Sequence, residues 1–166
     1  MAGGRDRDTI IFLHGLGGSR TAWEPQLEDL GDTWRCVAWD MPGDGASAPV
    51  DPLSFATITD ALVGLLDRLG VDRAHLCGLS FGGQQALHVA LAHPDRVAGI
   101  GGIYPVYDFT TYPGADRAAA AYGLCEEELL TQQASLNPIK RARELADAKI
   151  PVFIIHGIDD KVVPLA

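Results

Sequence analysis

Ser80 has the sequence surroundings of a catalytic nucleophile. It lies between Gly78 and Gly82 in the stretch HLCGLSFGGQ, with an apolar run before it and a helical pattern after it. A G-x-S-x-G sequence at such a strand-to-helix turn holds the serine on a tight bend and projects its hydroxyl above the sheet. The N-terminal amides of the following helix also favour developing negative charge. We therefore predict that Ser80 attacks an acyl carbon, although a chain with 19 glycines can contain this pattern by chance.

A second glycine-rich segment follows the first apolar run. Residues 14–19, HGLGGS, form a loop whose backbone N–H groups can point at a ligand. The N–H groups of Leu16 and Phe81 are the predicted oxyanion hole, the pair of donors that stabilises negative charge during acyl transfer. A plain tight turn is the alternative interpretation. The loop meets Ser80 if the sheet has a switch point between its first and third strands.

Five short apolar runs alternate with helical patterns along the chain. Their length and continuity favour strands buried on both faces, at residues 9–15, 35–43, 74–80, 96–105 and 150–157. Helices are predicted over 19–31, 54–70 and 82–94, and a mostly helical region over 115–148, where Asn137 is a predicted N-cap. This alternation predicts an α/β fold, an open and mostly parallel sheet of about five strands with helices on both faces.

A chain of 166 residues is long enough for one domain with a hydrophobic core, so residues 1–166 are predicted to form a single domain. Residues 106–148 are its least regular part and are predicted to form a short, helical, lid-like insert. The aromatic residues of this insert could roof a pocket or could simply cover the sheet. They are Tyr107, Phe109, Tyr112 and Tyr122.

Charge and cysteine content restrict the partners. The net charge of −9 argues against nucleic acid and anionic membranes, because phosphate binding needs basic clusters. Three widely spaced cysteines indicate a reducing, cytoplasmic location without a disulfide framework. No signal peptide or membrane span is expected. We also expect no cofactor and no metal, because His156, Asp159 and Asp160 do not converge on one point from a strand and a turn.

Four segments in order, FLHGLGGSRTAW, WDMPGDGAS, LCGLSFGGQQAL and PVFIIHGIDDKVVP, resemble the α/β-hydrolase family from residue 9 onward. Residues 9–100 are most similar to its small esterase and enol-lactonase branch. Residues 101–166 are more similar to a carbohydrate-esterase-like branch, which allows a composite chain. The resemblance implies a serine hydrolase that forms an acyl-enzyme on Ser80 with a small carboxylic ester, thioester or lactone.

The resemblance also implies a triad acid and a histidine base. Asp160 matches the family's acid position, with Asp159 its less favoured neighbour and Asp108 a backup. The family's histidine follows its acid, but all five histidines here precede Asp160, and only His14 is expected near Ser80, as a weak base candidate. The segment before the first strand is also short. We therefore expect a chain that is a very slow esterase, or inactive, on its own.

Two other functions fit parts of the sequence. The GLGG segment with Asp40 at the end of the second strand imitates a dinucleotide fingerprint, although Arg20 replaces its last glycine. Without a histidine base, a non-catalytic binding or structural module is also possible. An oligomer is compatible with either function.

Overall fold

The computed structural model describes residues 7–163 and has one parallel sheet. Its five strands lie in the order β2-β1-β3-β4-β5, with every neighbouring pair parallel. The predicted α/β class and strand number are confirmed. The strands are β1 (Thr9–Leu13), β2 (Arg35–Ala38), β3 (Ala74–Leu79), β4 (Val97–Ile103) and β5 (Val152–Ile155).

Seven α-helices and three short 3₁₀ helices are present among the described residues. The α-helices are α1 (Glu24–Leu30), α2 (Phe55–Leu69), α3 (Phe81–Ala92), α4 (Ala115–Tyr122), α5 (Glu126–Thr131), α6 (Gln133–Leu136) and α7 (Ala142–Asp147). The 3₁₀ helices are Arg20–Trp23, Pro94–Arg96 and Pro138–Arg141. Of the helices between residues 7 and 163, none has the length and apolar character needed to cross a bilayer.

The sheet has helices on both faces because its strands are apolar on both faces. Ile11 and Leu13 of β1 face the main core, which they share with side chains of α2 and α3. Phe12, between them, points the other way and packs against Trp23, with the ring centroids 5.0 Å apart. Alternate side chains of one strand therefore anchor both layers.

Helix α2 starts and stops where its sequence predicts. The Ser54 hydroxyl accepts a hydrogen bond from the Thr57 N–H at 3.3 Å, while the Ser54 N–H donates to the Thr57 hydroxyl at 3.0 Å. This reciprocal pair satisfies N–H groups that the helix itself cannot. Gly70 ends the helix in the left-handed region, with φ 64°.

Asn137 does not have the predicted capping role. It precedes the 3₁₀ helix Pro138–Arg141 rather than a continuous helix over 137–148, and its side chain makes no cap hydrogen bond. The side chain is fully buried and instead donates to the Asp108 carboxylate at 2.7 Å. A partner 29 residues away thus outweighs the local capping preference.

Strand β5 departs from the expectation of burial on both faces. Its four side chains are exposed, from 40% at Val152 to 68% at Phe153. Strand β5 is the last strand of the sheet order, so among the described residues only β4 pairs with it. The apolar run predicted a strand correctly, but burial depends on which elements cover it.

Candidate active site

Ser80 connects β3 to α3 in a strained backbone conformation. Its φ of 52° and ψ of −114° lie where side-chain-bearing residues are rarely found. Its N–H donates to the Ile103 carbonyl at 2.9 Å, which ties the bend to the end of β4. Strain of this kind persists only where surrounding contacts hold it, and it is concentrated at functional sites.

The glycines around Ser80 allow three backbone segments to approach closely. A Cβ atom on Gly82 would overlap the carbonyl groups of Leu13 and His14 at the end of β1. A Cβ atom on Gly78 would overlap the backbone of Gly82. The glycine spacing of the sequence pattern is therefore a packing requirement at this bend.

The glycine-rich loop, residues 14–19, lies beside Ser80. Strand β1 lies between β2 and β3 in the sheet, so the chain adds β2 on one side of β1 and then β3 on the other side. The loops after β1 and β3 flank the crevice that such a switch point creates. A Cβ atom on Gly15 would lie 3.5 Å from Cβ of Ser80. The two loops that the sequence predicted to meet are therefore neighbours.

The two predicted oxyanion donors lie at the start of a helix and in a tight turn. The N–H of Phe81 is in the first turn of α3, where no intrahelical partner exists. The Gly18 N–H donates to the Gly15 carbonyl at 3.1 Å, which closes a tight turn around Leu16. Leu16 is 73% exposed, so the turn lies at the protein surface, beyond the carboxyl end of β1.

Asp160 lies in the turn after β5, beyond the carboxyl ends of the strands, as Ser80 does. One carboxylate oxygen, Oδ1, accepts backbone N–H groups from Val162 at 2.8 Å and Val163 at 2.9 Å. These bonds, from Val163 first and then Val162, lower the pKa of Asp160 and keep it ionised. Oδ2 lies 3.8 Å from Nε2 of His156.

Ser80 and Asp160 follow strands that end at the same level of the sheet. The Ser80 N–H donates to Ile103, and the Tyr104 N–H donates to Ile155 at 2.7 Å, so the ends of β3, β4 and β5 are level. Two strand spacings separate β3 from β5, which is about 10 Å. Asp160 lies five residues beyond the end of β5, so both residues are at the carboxyl end of the sheet, on strands that β4 separates.

The structure does not support His14 as the base. Its Nε2 accepts the Met41 N–H at 3.1 Å, and its Nδ1 lies 2.7 Å from the Gly15 carbonyl, to which it donates. The side chain is 1% exposed. Both ring nitrogens are already used by the backbone, so His14 cannot take a proton from Ser80 without breaking the loop.

Of the other four histidines, three lie in or next to β3 and α3, and one follows β5. His88 is two helical turns along α3 from Ser80, about 12 Å along the helix axis. His75 is near the start of β3, and His93 ends α3. The Nε2 atom of His156 lies 2.7 Å from the Val163 carbonyl, within the turn that holds Asp160.

Asp108, the backup acid, is committed to its own loop. Its Oδ1 lies within 2.9 Å of the Thr110 N–H, the Thr110 hydroxyl and the Asn137 amide, all of which donate to it. Burial alone would raise its pKa, but these hydrogen bonds outweigh that effect and lower it. A cavity of about 200 Å³ beside it is lined by Tyr107, Tyr112 and His156 among others, and Ser80 is not in its lining.

The predicted roof aromatics have divided roles. Phe109 is fully buried in a second small core with residues of α4 and α5. Tyr122 packs against Phe55 and His88, with its hydroxyl 3.0 Å from His88 Nε2. Tyr107 and Tyr112 line the cavity beside Asp108.

An ion pair between Arg20 and Asp40 was not predicted as part of the site. Oδ2 of Asp40 lies 2.7 Å from the Arg20 guanidinium, and Oδ1 accepts the Arg20 N–H at 2.7 Å. Asp40 is therefore occupied by protein donors, which argues against the dinucleotide hypothesis, where this acid would bind a ribose. The only sequence signal was the acid after β2, and it does not identify its partner.

Among residues 7–163, no group of three or more His, Cys, Asp or Glu side chains converges in a way that could hold a metal ion. Asp160 and His156 approach each other as a pair only.

The amino-acid sequence matches a known fold family over most of its length. The family described as alpha/beta hydrolase fold matches residues 8–112, more than half of the chain. The chain belongs to the α/β-hydrolase fold family. The bend at Ser80 and the glycine-rich loop lie inside the matched range, whereas Asp160 lies beyond it.

Two relatives of this α/β-hydrolase have names that state an activity. One, named carbamate hydrolase RutD, from Caulobacter sp. strain K31, is 46% identical over 94 residues, which is 55% of this chain and 35% of the relative. The other, 3-oxoadipate enol-lactonase 1 from Acinetobacter baylyi, is 30% identical over 94 residues, 57% of this chain and 35% of the relative. The matched segment therefore spans about a third of either relative.

A solved structure extends the likeness over nearly all of the chain. The crystal structure of a hydrolase from Pseudomonas aeruginosa superposes with a TM-score of 0.71, covering 98% of this chain and 76% of that one. The two sequences are 22% identical, so this match shows the fold alone. The likeness of residues 101–166 to carbohydrate esterases stays a prediction.

Proposed function

We propose that this α/β-hydrolase cleaves a small carboxylic ester, thioester or lactone through an acyl-enzyme on Ser80. The observation that carries the proposal is the backbone of Ser80, at φ 52° and ψ −114° between β3 and α3, beside the glycine-rich loop. Such strain is not needed for a plain strand-to-helix connection, but it lifts a serine hydroxyl out of the sheet edge.

The proposed reaction has two displacements at one carbon. Oγ of Ser80 bonds to the acyl carbon, and the carbonyl oxygen takes up negative charge that the Leu16 and Phe81 N–H groups stabilise. Collapse breaks the bond to the leaving alcohol or thiol, which accepts the proton from Ser80. Water then attacks the acyl-enzyme, the carboxylic acid leaves, and a proton returns to Oγ.

Proton transfer limits the rate in this proposal. His14 is used by the backbone, and the ring nitrogen of His156 that faces Asp160 already pairs with the Val163 carbonyl. In one serine protease, removal of the histidine costs about 10⁶ in kcat, whereas the oxyanion hole and binding still leave about 10³–10⁴ over water. We therefore propose that the chain acts slowly unless a base is supplied.

The names of the relatives bear on the substrate class. One relative is named for carbamates and another for an enol-lactone. Both substrate classes contain a carbonyl carbon bound to a leaving heteroatom, which is the group that a serine nucleophile attacks. We propose the ester, thioester and lactone members of this group because the strained serine and its backbone donors need only an acyl carbon and an oxyanion.

A non-catalytic binding module is the second candidate function. It is favoured by one observation, the engagement of both ring nitrogens of His14 by backbone groups. In that case the edge beside Ser80 would bind an acyl compound without cleaving it.

Base supplementation separates the two functions. Hydrolysis of a small activated ester is measured for the chain and for Ser80→Ala, each with and without added imidazole. The proposal expects a saturable, imidazole-dependent rate that Ser80→Ala lacks once the rate of imidazole alone is subtracted. Equal rates for the two proteins at every imidazole concentration would favour the binding module.

A further inference from the structure

The carboxylate of Asp40, which follows β2, joins two loops near Ser80. Its side chain is 3% exposed. Oδ1 accepts the Arg20 N–H at 2.7 Å, and Oδ2 accepts the Arg20 guanidinium at 2.7 Å and the Ala46 N–H at 3.0 Å. Two of the three donors are backbone groups from different loops, so the carboxylate fixes main chain to main chain.

The glycine-rich loop is held at both of its ends by the segment after β2. At the first end, the Met41 N–H donates to His14 at 3.1 Å. At the other end, Asp40 holds the backbone of Arg20. Between these two anchors lie residues 15–19, which contain the Leu16 N–H.

We propose that Asp40 is a positioning residue for the Leu16 N–H, an inference that rests on the proposed function of that group as an oxyanion donor. With its second anchor removed, a loop containing three glycines would sample many backbone conformations. An N–H donor that is not held in place must become ordered as the transition state forms. The entropy lost in that ordering raises the activation free energy.

The hydrogen bonds from the Arg20 and Ala46 N–H groups to the Asp40 carboxylate, rather than the ion pair with Arg20, position the loop. The side chain of Arg20 is 57% exposed, so water can replace the guanidinium contact. The Arg20 and Ala46 N–H groups meet a nearly inaccessible carboxylate, where an unpaired donor is costly. In keeping with this, the hydrogen bonds from Ala46 and then Arg20 are the main causes that lower the pKa of Asp40.

The 40–47 segment is shaped around this carboxylate. Gly45 has a φ of 54°, and a Cβ atom there would overlap the carboxylate of Asp40. The Ser47 hydroxyl donates to the Asp40 carbonyl at 2.8 Å, which closes the segment without touching the carboxylate.

Three variants separate the backbone bonds from the ion pair. Asp40→Asn is nearly isosteric, but its amide NH₂ must replace one of the two acceptors. At the Oδ2 position it would face two donors, the Ala46 N–H and the Arg20 guanidinium, so it should take the Oδ1 position and remove the bond from the Arg20 N–H. Arg20→Ala removes the ion pair and keeps both backbone bonds. Ser47→Ala removes a neighbouring hydrogen bond and is the control. If Asp40→Asn does not fold, Gly45→Ala displaces the same carboxylate.

The first measurement does not need catalysis. NMR relaxation gives the order parameter of the Leu16 N–H in each protein. We expect about 0.85 in the wild type, Arg20→Ala and Ser47→Ala, and a fall below about 0.6 in Asp40→Asn. An unchanged order parameter in Asp40→Asn, or an equal fall in Arg20→Ala, would overturn the assignment.

The second measurement connects order to rate. With imidazole present, Asp40→Asn should lower kcat about 10²-fold with KM nearly unchanged, the cost expected for a misplaced group. A raised KM with unchanged kcat in Asp40→Asn would overturn the positioning role. A wild-type kcat in Asp40→Asn together with a disordered loop would overturn it as well. If the wild type itself has no Ser80-dependent activity, the proposed function fails, and the order parameters still decide whether Asp40 holds the loop.

Discussion

The bend at Ser80 depends on residues that have no side chain. Gly82 is the second residue of α3 and contacts the end of β1. A Cβ atom on Gly82 would overlap the carbonyl groups of Leu13 and His14. These carbonyls belong to the backbone of a buried strand, so they cannot move aside as a flexible side chain would. The nucleophile position and the glycine-rich loop are therefore joined by one close backbone contact.

Two glycine-to-alanine substitutions should have opposite effects on stability. Gly82→Ala should lower the free energy of unfolding by about 1–3 kcal/mol or more, because the added methyl group overpacks the site. Gly64→Ala, in the middle of α2, should raise it by about 0.5–1 kcal/mol, because alanine loses less backbone entropy and an added Cβ meets only the Arg68 guanidinium at 3.6 Å.

Urea unfolding of both glycine variants provides the measurement. Two destabilising changes of similar size would show that helix α2 has no room at Gly64. A neutral Gly82→Ala would show that β1 and α3 are not in the close contact described here.

At the residue scale, the sequence predicted the tight bend at Ser80 because a G-x-S-x-G pattern between a strand and a helix is a local signal, and the role of Ser80 as a nucleophile stays a prediction. The failure at His14 has a physical cause. A histidine beside a predicted nucleophile suggested a base, but its ring nitrogens pair with backbone groups of Gly15 and Met41. Pairings with the main chain leave no mark in the residue types.

At the scale of elements, α3 meets α2 and α4 through an aromatic cluster. The His88 ring stacks on Phe55, with centroids 4.0 Å apart, and its Nε2 is 3.0 Å from the Tyr122 hydroxyl. Burial first, and the positive charge of Arg141 second, lower the pKa of His88 to about 4. The cluster therefore holds a neutral imidazole at neutral pH.

Stability should fall when the solution is acidified through this range. Above pH 6.5, the ordinary pKa, His88 is neutral in both folded and unfolded chains. Between pH 6.5 and about 4, only the unfolded chain binds the proton, so the free energy of unfolding should drop by up to about 3 kcal/mol. Below pH 4 both states are protonated and this contribution stays lost.

The His88→Gln variant checks the pH dependence. Its unfolding free energy should change less than that of the wild type between pH 7.5 and pH 4.5, as measured by urea titration at each pH. Parallel curves for the two proteins would mean that His88 does not cause the loss. An imidazole signal of His88 that titrates near pH 6.5 in the folded protein would contradict the burial described here.

The elements themselves were largely predictable. All five strands and the three helices from 19 to 94 lie within or close to their predicted ranges, because apolar periodicity is a local signal. Residues 106–148 were less predictable, and Asn137 shows why. Its side chain serves Asp108 across 29 residues, a tertiary contact that capping preference cannot anticipate.

At the scale of the whole molecule, β5 gives the sheet an exposed apolar edge. Within the described residues this edge carries no charged side chain, and Phe153 is 68% exposed. Unprotected edges tend to pair with other strands, whereas the net charge of −9 makes copies of the chain repel one another. The sequence predicted the strand but not its exposure.

Self-association should therefore increase with ionic strength, because salt screens the repulsion and leaves the apolar edge unchanged. Phe153→Lys should reduce this association with little change in thermal stability. The matched substitution Phe12→Lys, at a side chain that is 2% exposed, should unfold the protein. Light scattering from low to high salt is the measurement, and an association that is independent of both salt and Phe153 would exclude β5 as its cause.

We propose that the fold of this α/β-hydrolase makes Ser80 a nucleophile. A fluorophosphonate forms a stable bond to a serine that is held in such a site, and peptide mass mapping then identifies the modified residue. With imidazole added as the base, we expect an adduct on Ser80, with none on the other serines and none in Ser80→Ala. A Ser80 that remains unmodified with and without imidazole, in a folded protein, would contradict it.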